Sequence, residues 1–194
     1  MKAVILVATL KKEGQSNTEV LTEFFIDYLK KEKVRTEVIK LVDHNILPGT
    51  YLDMGKGDAW PEIFKKIKKA DIIIFATPVW WGSQSSQMQM VFERLDEVFN
   101  EVEDGKESQL TGKSGGVIVT GEIDGAQNVI GNIGNFYTSI GIVFPPQCAL
   151  DVIWEGHTKG EEKPRQELIQ YYTEECADAA AIMAKNLVKY SGIK

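Results

Sequence analysis

Three short stretches of this chain are apolar at nearly every position: Ala3 to Ala8 (AVILVA), Ile72 to Ala76 (IIIFA) and Gly115 to Thr120 (GGVIVT). A strand with one wet face alternates polar and apolar residues. A strand that does not alternate must be covered on both faces, which is the condition of a parallel sheet sandwiched between helices. The intervening segments carry the helices. Val20, Phe24 and Tyr28, with Leu21, Phe25 and Leu29 beside them, form a stripe at helical period. Val91, Phe92, Leu95, Val98, Phe99 and Val102 predict one long amphipathic helix, and Val129, Ile133, Phe136 and Ile140 another. Leu168, Tyr172, Cys176, Ala179, Met183 and Leu187 mark the last. Pro61 opens a short helix, PEIFKKIKKA, at the position where proline is tolerated.

Thr36 to Leu41 (TEVIKL) reads as a second strand, and Gly141–Phe144 with Leu150–Ile153 as pieces of a fifth, interrupted by Pro145 and Pro146. Five strands alternating with helices predict an α/β sandwich with right-handed crossovers and helices on both faces. No linker, repeat or compositional break divides the 194 residues, so a single domain over 1–194 is expected.

The balance of 22 Lys and Arg against 28 Asp and Glu, a net charge of -6, argues against nucleic acid as a partner. Cys148 and Cys176 form no C-x-x-C pair, and with His44 and His157 scattered they make no metal-ligand cluster. The opening MKAVILVATLKK has too short an apolar run to span a bilayer and no small-residue cleavage site. It reads as a first strand. A soluble, cytoplasmic protein is expected, with its thiols reduced.

In an open parallel sheet, ligands bind beyond the carboxyl ends of the strands. Three segments sit there. The first, TLKKEGQSNT at 9–18, puts Ser16, Asn17 and Thr18 at the start of a helix, where free N–H groups and the dipole favour an anion. Lys11 or Lys12 would add charge, while plain helix capping by Ser16 or Thr18 would need no ligand. It is neither a Walker loop nor a G-x-G-x-x-G fingerprint, since Gly14 is its only glycine. The second, TPVWWGSQSS at 77–86, offers Trp80 and Trp81 as aromatic surface where a flat partner would sit, or as rings packed on the next helix. Gly82 there allows close backbone approach. The third, TGEIDGA at 120–126, has Gly121 and Gly125 around acidic side chains. Together they suit a ligand with an anionic end, a polar middle and a planar heteroaromatic end. Flavin mononucleotide has that order, its ring between the second and third segments. The irregular stretch 43–60, with Gly, Pro, Tyr51, Leu52, Met54 and Trp60, is expected over or beside the flavin or in a subunit contact.

These residues resemble the flavodoxin-like NADPH-dependent FMN reductases, in particular the multimeric-flavodoxin branch. The blocks LKKEGQSNTEVL, DMGKGDAWPEI, ADIIIFATPVWWGSQSSQMQMVFERLDE and KSGGVIVTGEIDGAQNVI carry the resemblance over most of the chain. The strand-end pattern T-P-x-W/Y-W/Y-G running into E-R-L-D is the most specific of them. The resemblance implies a flavodoxin-like three-layer sandwich with a five-stranded parallel sheet in the order 2-1-3-4-5. It also implies bound FMN, NADPH or NADH as electron donor, and a homodimer or homotetramer. Carried over by position, Thr9, Lys11, Ser16, Asn17 and Thr18 would hold the phosphate, with Thr9 and Lys11 standing where many relatives have Ser and Arg. Pro78, Val79, Trp80, Trp81 and Gly82 would contact the isoalloxazine. Thr120, Gly121, Asp124 and Gly125 would lie on its pyrimidine side or ribityl chain. At most one tryptophan would meet the ring, the other packing on protein or reaching the substrate side. LVDHNILPGTYLD has no cysteine where cluster-bearing relatives carry theirs, so no iron–sulfur cluster is expected.

The implied activity is a flavin-dependent oxidoreductase passing hydride from the nicotinamide through FMN to a flavin, quinone or similar small acceptor. The cofactor carries the chemistry, so no side chain is expected as general acid or base. The alternative is a non-enzymatic electron carrier or redox sensor of the same fold. Ala8 and Thr9 argue against a phosphate-switched signalling domain, since they stand where such domains need carboxylates.

Overall fold

Ala3 to Ala8 and Ile72 to Ala76 have no exposed surface at all, because both faces of their strands are covered. The computed structural model describes residues 1–121, 125–153 and 163–193. Its strands are β1 (Lys2–Val7), β2 (Arg35–Lys40), β3 (Ile72–Trp80), β4 (Ser83–Gln84), β5 (Ser114–Gly121) and β6 (Ala149–Ile153). The helices are α1 (Asn17–Lys31), α2 (Trp60–Lys68), α3 (Ser86–Arg94), α4 (Asp96–Glu103), α5 (Ala126–Ser139) and α6 (Arg165–Tyr190).

Five parallel strands lie in the order β2-β1-β3-β5-β6. This is the flavodoxin-like order expected, with the two-residue β4 added antiparallel to β3. The period of two in each strand sorts its side chains to opposite faces. Val4, Leu6, Ile73, Phe75, Val117 and Val119 face a core shared with α2, α3, α4 and α5. Ala3, Ile5, Val7, Ile72, Ile74 and Ile118 face the core beneath α1 and α6. Both fragments read as a fifth strand run beside β5: Val143 bridges Ser114 at its start, and β6 pairs from Val117 to Gly121. Pro145 and Pro146 separate them.

Two elements depart from the sequence reading. The long helix expected over 91–102 is two helices, parted at the buried Leu95. Leu95 N–H still bonds back to Val91 and Phe92, and α4 restarts with the Val98 and Phe99 amides on the Leu95 carbonyl. β3, expected to end at Ala76, runs four residues further. Its partner β5 continues to pair, through Thr77 with Val119 and Pro78 with Thr120. Strand alternation turns Pro78 toward β1, which has already ended at Val7, so its missing N–H breaks no ladder bond.

The stretch 44–59 has no helix or strand, and one side chain from α3 organises it. Arg94, fully buried, donates from Nε to the Tyr51 carbonyl at 2.8 Å and from Nη1 to the Leu47 carbonyl at 2.7 Å. Its Nη2 donates to Asp58 Oδ2 at 2.6 Å, in an ion pair whose two side chains have no exposed surface. Asp58 also accepts from the backbone N–H groups of Leu47, Met54 and Trp60. Burial by itself would raise the Asp58 carboxyl, but the Arg94 guanidinium and those three N–H groups outweigh it and hold it well below the usual carboxylate range. The Leu52 N–H adds a bond to Glu97 on α4. Trp60 belongs to the core, whereas Tyr51 is exposed and Met54 sits at the surface.

Because the folded Asp58 carboxyl titrates below the unfolded one, the pair stabilises fully above the ordinary carboxylate range, near pH 4. Its contribution falls as pH drops from there toward the folded value. Arg94→Met should cost about 3–5 kcal/mol at neutral pH, since it leaves a buried carboxylate unpaired. A urea titration reads this, and an unchanged midpoint would contradict it. Asp58→Asn should flatten the acid limb of the stability curve between roughly pH 5 and pH 2.

Candidate functional site

All three predicted segments emerge at the carboxyl edge of the central strands. The first follows β1 and turns into α1. Ser16 caps the helix, its Oγ accepting from Glu19 N–H at 3.4 Å and its carbonyl from Val20 N–H. The N–H groups of Asn17 and Thr18, in the first turn, have no helical partner by construction. They leave a donor-rich end on a helix of 15 residues. The only acidic residue of that turn, Glu19, is held by Lys40 at 3.1 Å, so its charge is partly met. Lys11 Nζ donates to the Gln15 carbonyl at 2.9 Å and so braces the loop itself. Gln15 in turn donates to the Lys163 carbonyl. Thr9, buried, accepts the Lys11 N–H on its Oγ1, which leaves its hydroxyl proton available.

Thr18 is placed differently from the expectation. Its side chain is buried and its Oγ1 lies 2.6 Å from Thr120 Oγ1 at the end of β5. This contact ties the first segment directly to the third. Two hydroxyls so paired use one proton between them, so one proton remains for anything else.

The second segment is a hairpin. Val79 pairs with Gln84 and Trp80 with Ser83, leaving Trp81 and Gly82 as a two-residue turn. Both have positive φ, 50° and 72°, as the tight primed turn of such hairpins requires. Gly82 adopts this freely, but a tryptophan does so against its Cβ. Neither indole packs inward: Trp80 is 52% exposed and Trp81 fully exposed. Of the two places expected for the second indole, on protein or toward the substrate side, packing on protein is not met within this chain, because the strand extends past the body of the sheet and carries both outward.

The second and third segments touch. A Cβ added at Gly125 would lie 2.5 Å from Gly82 Cα, and one at Gly121 would lie 2.8 Å from Val79 Cβ. Asn128 Nδ2 also donates to the Gly82 carbonyl. There is thus no slot for a ring between Gly82 and Gly125 themselves. Asp124 lies outside the described residues.

Sequence reasoning missed the residues that hold these loops in place. Ser85, fully buried, donates from Oγ to the Ala8 carbonyl at 2.7 Å and accepts Met88 N–H as the cap of α3. Its own N–H donates to Thr77 Oγ1 at 3.0 Å. The end of β1, the end of β3 and the start of α3 are joined through this one serine. Its only sequence signal is a serine just ahead of a helical stripe. Arg94, inside the quoted E-R-L-D, acts on the 44–59 loop rather than on any of the three segments. Among the described residues no cluster of His, Cys, Asp or Glu could hold a metal, and no helix is long and apolar enough to cross a membrane.

Residues 1–154 match the family described as NADPH-dependent FMN reductase. The 8-demethyl-8-aminoriboflavin-5'-phosphate synthase of Streptomyces davaonensis is 31% identical over 159 residues, 77% of this chain. The chain spans 62% of that synthase and 23% of a longer curated relative, less than two thirds of either. The solved structure of RosB with bound intermediate 8-demethyl-8-formylriboflavin-5'-phosphate superposes with a TM-score of 0.82 at 26% identity, over 98% of this chain and 78% of that one. A flavodoxin of Streptococcus pneumoniae TIGR4 shares the fold with a TM-score of 0.60 at 18% identity, over 97% and 99% of the two chains.

The hairpin geometry makes a stability prediction. Trp81 contributes no buried surface in this chain but holds a positive φ. Trp81→Asn, with the side chain best suited to that position, should raise stability by about 1 kcal/mol. Thermal and urea denaturation read the change, and a clear loss of stability would show that the ring is covered by something.

Proposed function

Because the chain belongs to the NADPH-dependent FMN reductase family, flavin-dependent oxidoreductases with FMN as cofactor and a nicotinamide nucleotide as donor, we propose that it reduces a small acceptor, a flavin, quinone or similar molecule, at the edge described above. The observation that carries this reading is the Thr18–Thr120 contact, which brings a helix N-terminus suited to an anion against the end of β5. The relatives whose names specify a riboflavin-5'-phosphate derivative support a flavin phosphate there.

The donor set fits that group. The first-turn N–H groups of α1 with Ser16 and Asn17 bind the phosphate, and Thr9 offers its free hydroxyl proton. Thr18 acts through its backbone, its hydroxyl being taken up with Thr120. Lys11 shapes the loop through Gln15 as well as supplying charge. Pro78, Val79 and Gly82 would offer backbone and a small apolar surface to the ring, with at most one of the exposed indoles of Trp80 and Trp81 against it. Thr120, Gly121, Gly125 and Asp124 serve the pyrimidine or ribityl side. When bound, FMN supplies the two-electron exchange between nicotinamide and acceptor, and this chain's residues position it and limit water.

We take 1–194 as one FMN-binding unit that acts as a homodimer or homotetramer. Trp81 and Trp80 leave aromatic surface bare at the edge, which a second copy would cover. A reducing, cytoplasmic setting fits the two free thiols, both buried, with burial pushing Cys148 up to about 12 and Cys176 up to about 11.

Asn17→Asp tests the phosphate position. A carboxylate in the first turn would repel a phosphate by on the order of 1–3 kcal/mol at an effective surface dielectric. FMN affinity should drop about tenfold or more while riboflavin, without the phosphate, is unaffected. Equal losses would put the phosphate elsewhere. Anaerobic mixing of the FMN-loaded protein with NADPH or NADH should bleach the flavin absorbance, and failure with both nucleotides would favour the electron-carrier alternative.

A further inference from the structure

Residues 125–150 contain no Asp, Glu, Lys, Arg or His, in a chain that is 26% charged. Part of that run is core and needs no charge. Its exposed part is the outer face of α5, where Gln127, Asn128, Gly131, Asn132, Asn135 and Thr138 meet solvent. Among the described helices α5 alone carries no charged residue. A solvated helix face is ordinarily charged, and depletion of charge marks the buried centre of a protein contact.

Gly131 is a second, independent sign. It sits inside the helix without a positive φ, and a Cβ added there would meet nothing within 4 Å. Gly134, three residues on, has a reason within the chain, since its added Cβ would lie 2.9 Å from Phe144. Glycine inside a helix costs stability relative to alanine, so an open one points to a constraint from outside the chain. Bare backbone at that point admits close approach by another element. The face also runs on into the hairpin. Asn128 Nδ2 donates to the Gly82 carbonyl at 2.9 Å, beside the fully exposed Trp81. Tryptophan is among the residues that most often anchor a protein contact.

The chemistry of the face selects its occupant. Side-chain amides are donor and acceptor at once, so a face built of them complements itself. A two-fold contact sets each patch against its own copy, so any charge near its axis would meet itself. Neighbouring α4 carries Asp96, Glu97, Glu101 and Glu103 and no base, in a chain of net charge -6. Pairing through α4 would oppose like charges, and a basic partner would take α4 rather than α5. We propose that α5 is the centre of a two-fold contact between copies of this chain. Asn132, the exposed side chain nearest the helix midpoint, lies at the axis, and each Trp81 hairpin is covered by the far end of the partner's α5. This rests on the homodimer reading given above and assigns it to a face. Because the hairpin belongs to the proposed flavin edge, the partner's helix completes that edge.

Sedimentation velocity and light scattering on the full chain, from about 1 to 100 μM, read the association. Asn132→Glu and Asn132→Lys should each weaken the dimer about tenfold or more, since each sets like charges at the axis. Mixing the two variants one to one should restore most of the lost affinity, because a carboxylate then faces an ammonium. If one variant does not fold alone, co-expression of the two reads the same rescue. A tetramer that each variant reduces to dimers, and that the mixture rebuilds, supports the contact equally. A wild type that stays monomeric throughout would overturn both this contact and the homodimer reading. A dimer that neither charge weakens would overturn the α5 contact and leave the homodimer reading standing. Weakening by both without recovery on mixing does the same, since Asn132 would then face something other than its own copy.

Discussion

Double-sided burial of β1, β3 and β5 is the constraint from which the rest follows. Their central residues, 3–7, 72–76 and 117–119, have no water on either face, so two helical layers must cover them. Parallel pairing then demands a crossover after every strand. Each crossover starts at the same edge, and the chain's loops with the most chemical content collect there. That edge holds the α1 N-terminus, the β3–β4 hairpin and the end of β5, although they lie up to about a hundred residues apart in sequence.

What fixes the edge is a small number of buried hydroxyls. Ser85 bridges the ends of β1 and β3 and caps α3, while Thr18 meets Thr120 across the gap from α1 to β5. These groups are too buried to serve a ligand mainly through their own side chains. They set the positions of the backbone donors and glycine turns that do face outward. The 44–59 loop is held the same way from the opposite direction, by Arg94 bonding to backbone carbonyls and to Asp58. Such a buried pair contributes specificity of path more than net stability, since desolvation of both charges offsets much of their attraction.

The hairpin shows where order and exposure part company. The extra length of β3 takes Trp80 and Trp81 beyond the covered part of the sheet, and the two-residue turn makes Trp81 adopt a backbone angle it disfavours. A bulky residue kept both exposed and strained is more consistent with contact to something outside the chain than with packing inside it.

The sequence by itself determined the layers, the number of parallel strands, the helical faces, and which three segments reach the ligand edge. Each of these depends on local period and on the repeated alternation of strand and helix, which can be read along the chain. It also carried the family resemblance, through TPVWWGSQSS and its neighbouring blocks, and the strand order came with that resemblance. Tertiary structure alone decided that β3 outlasts Ala76, because only pairing with β5 makes Thr77 and Pro78 strand residues. It parted the helix at Leu95, bound Arg94 to a loop some forty residues away, and committed the Thr18 hydroxyl to Thr120. It also left both indoles uncovered. These outcomes hang on long-range partners, and a side chain's partner is set by the three-dimensional path of the chain, which no local pattern encodes.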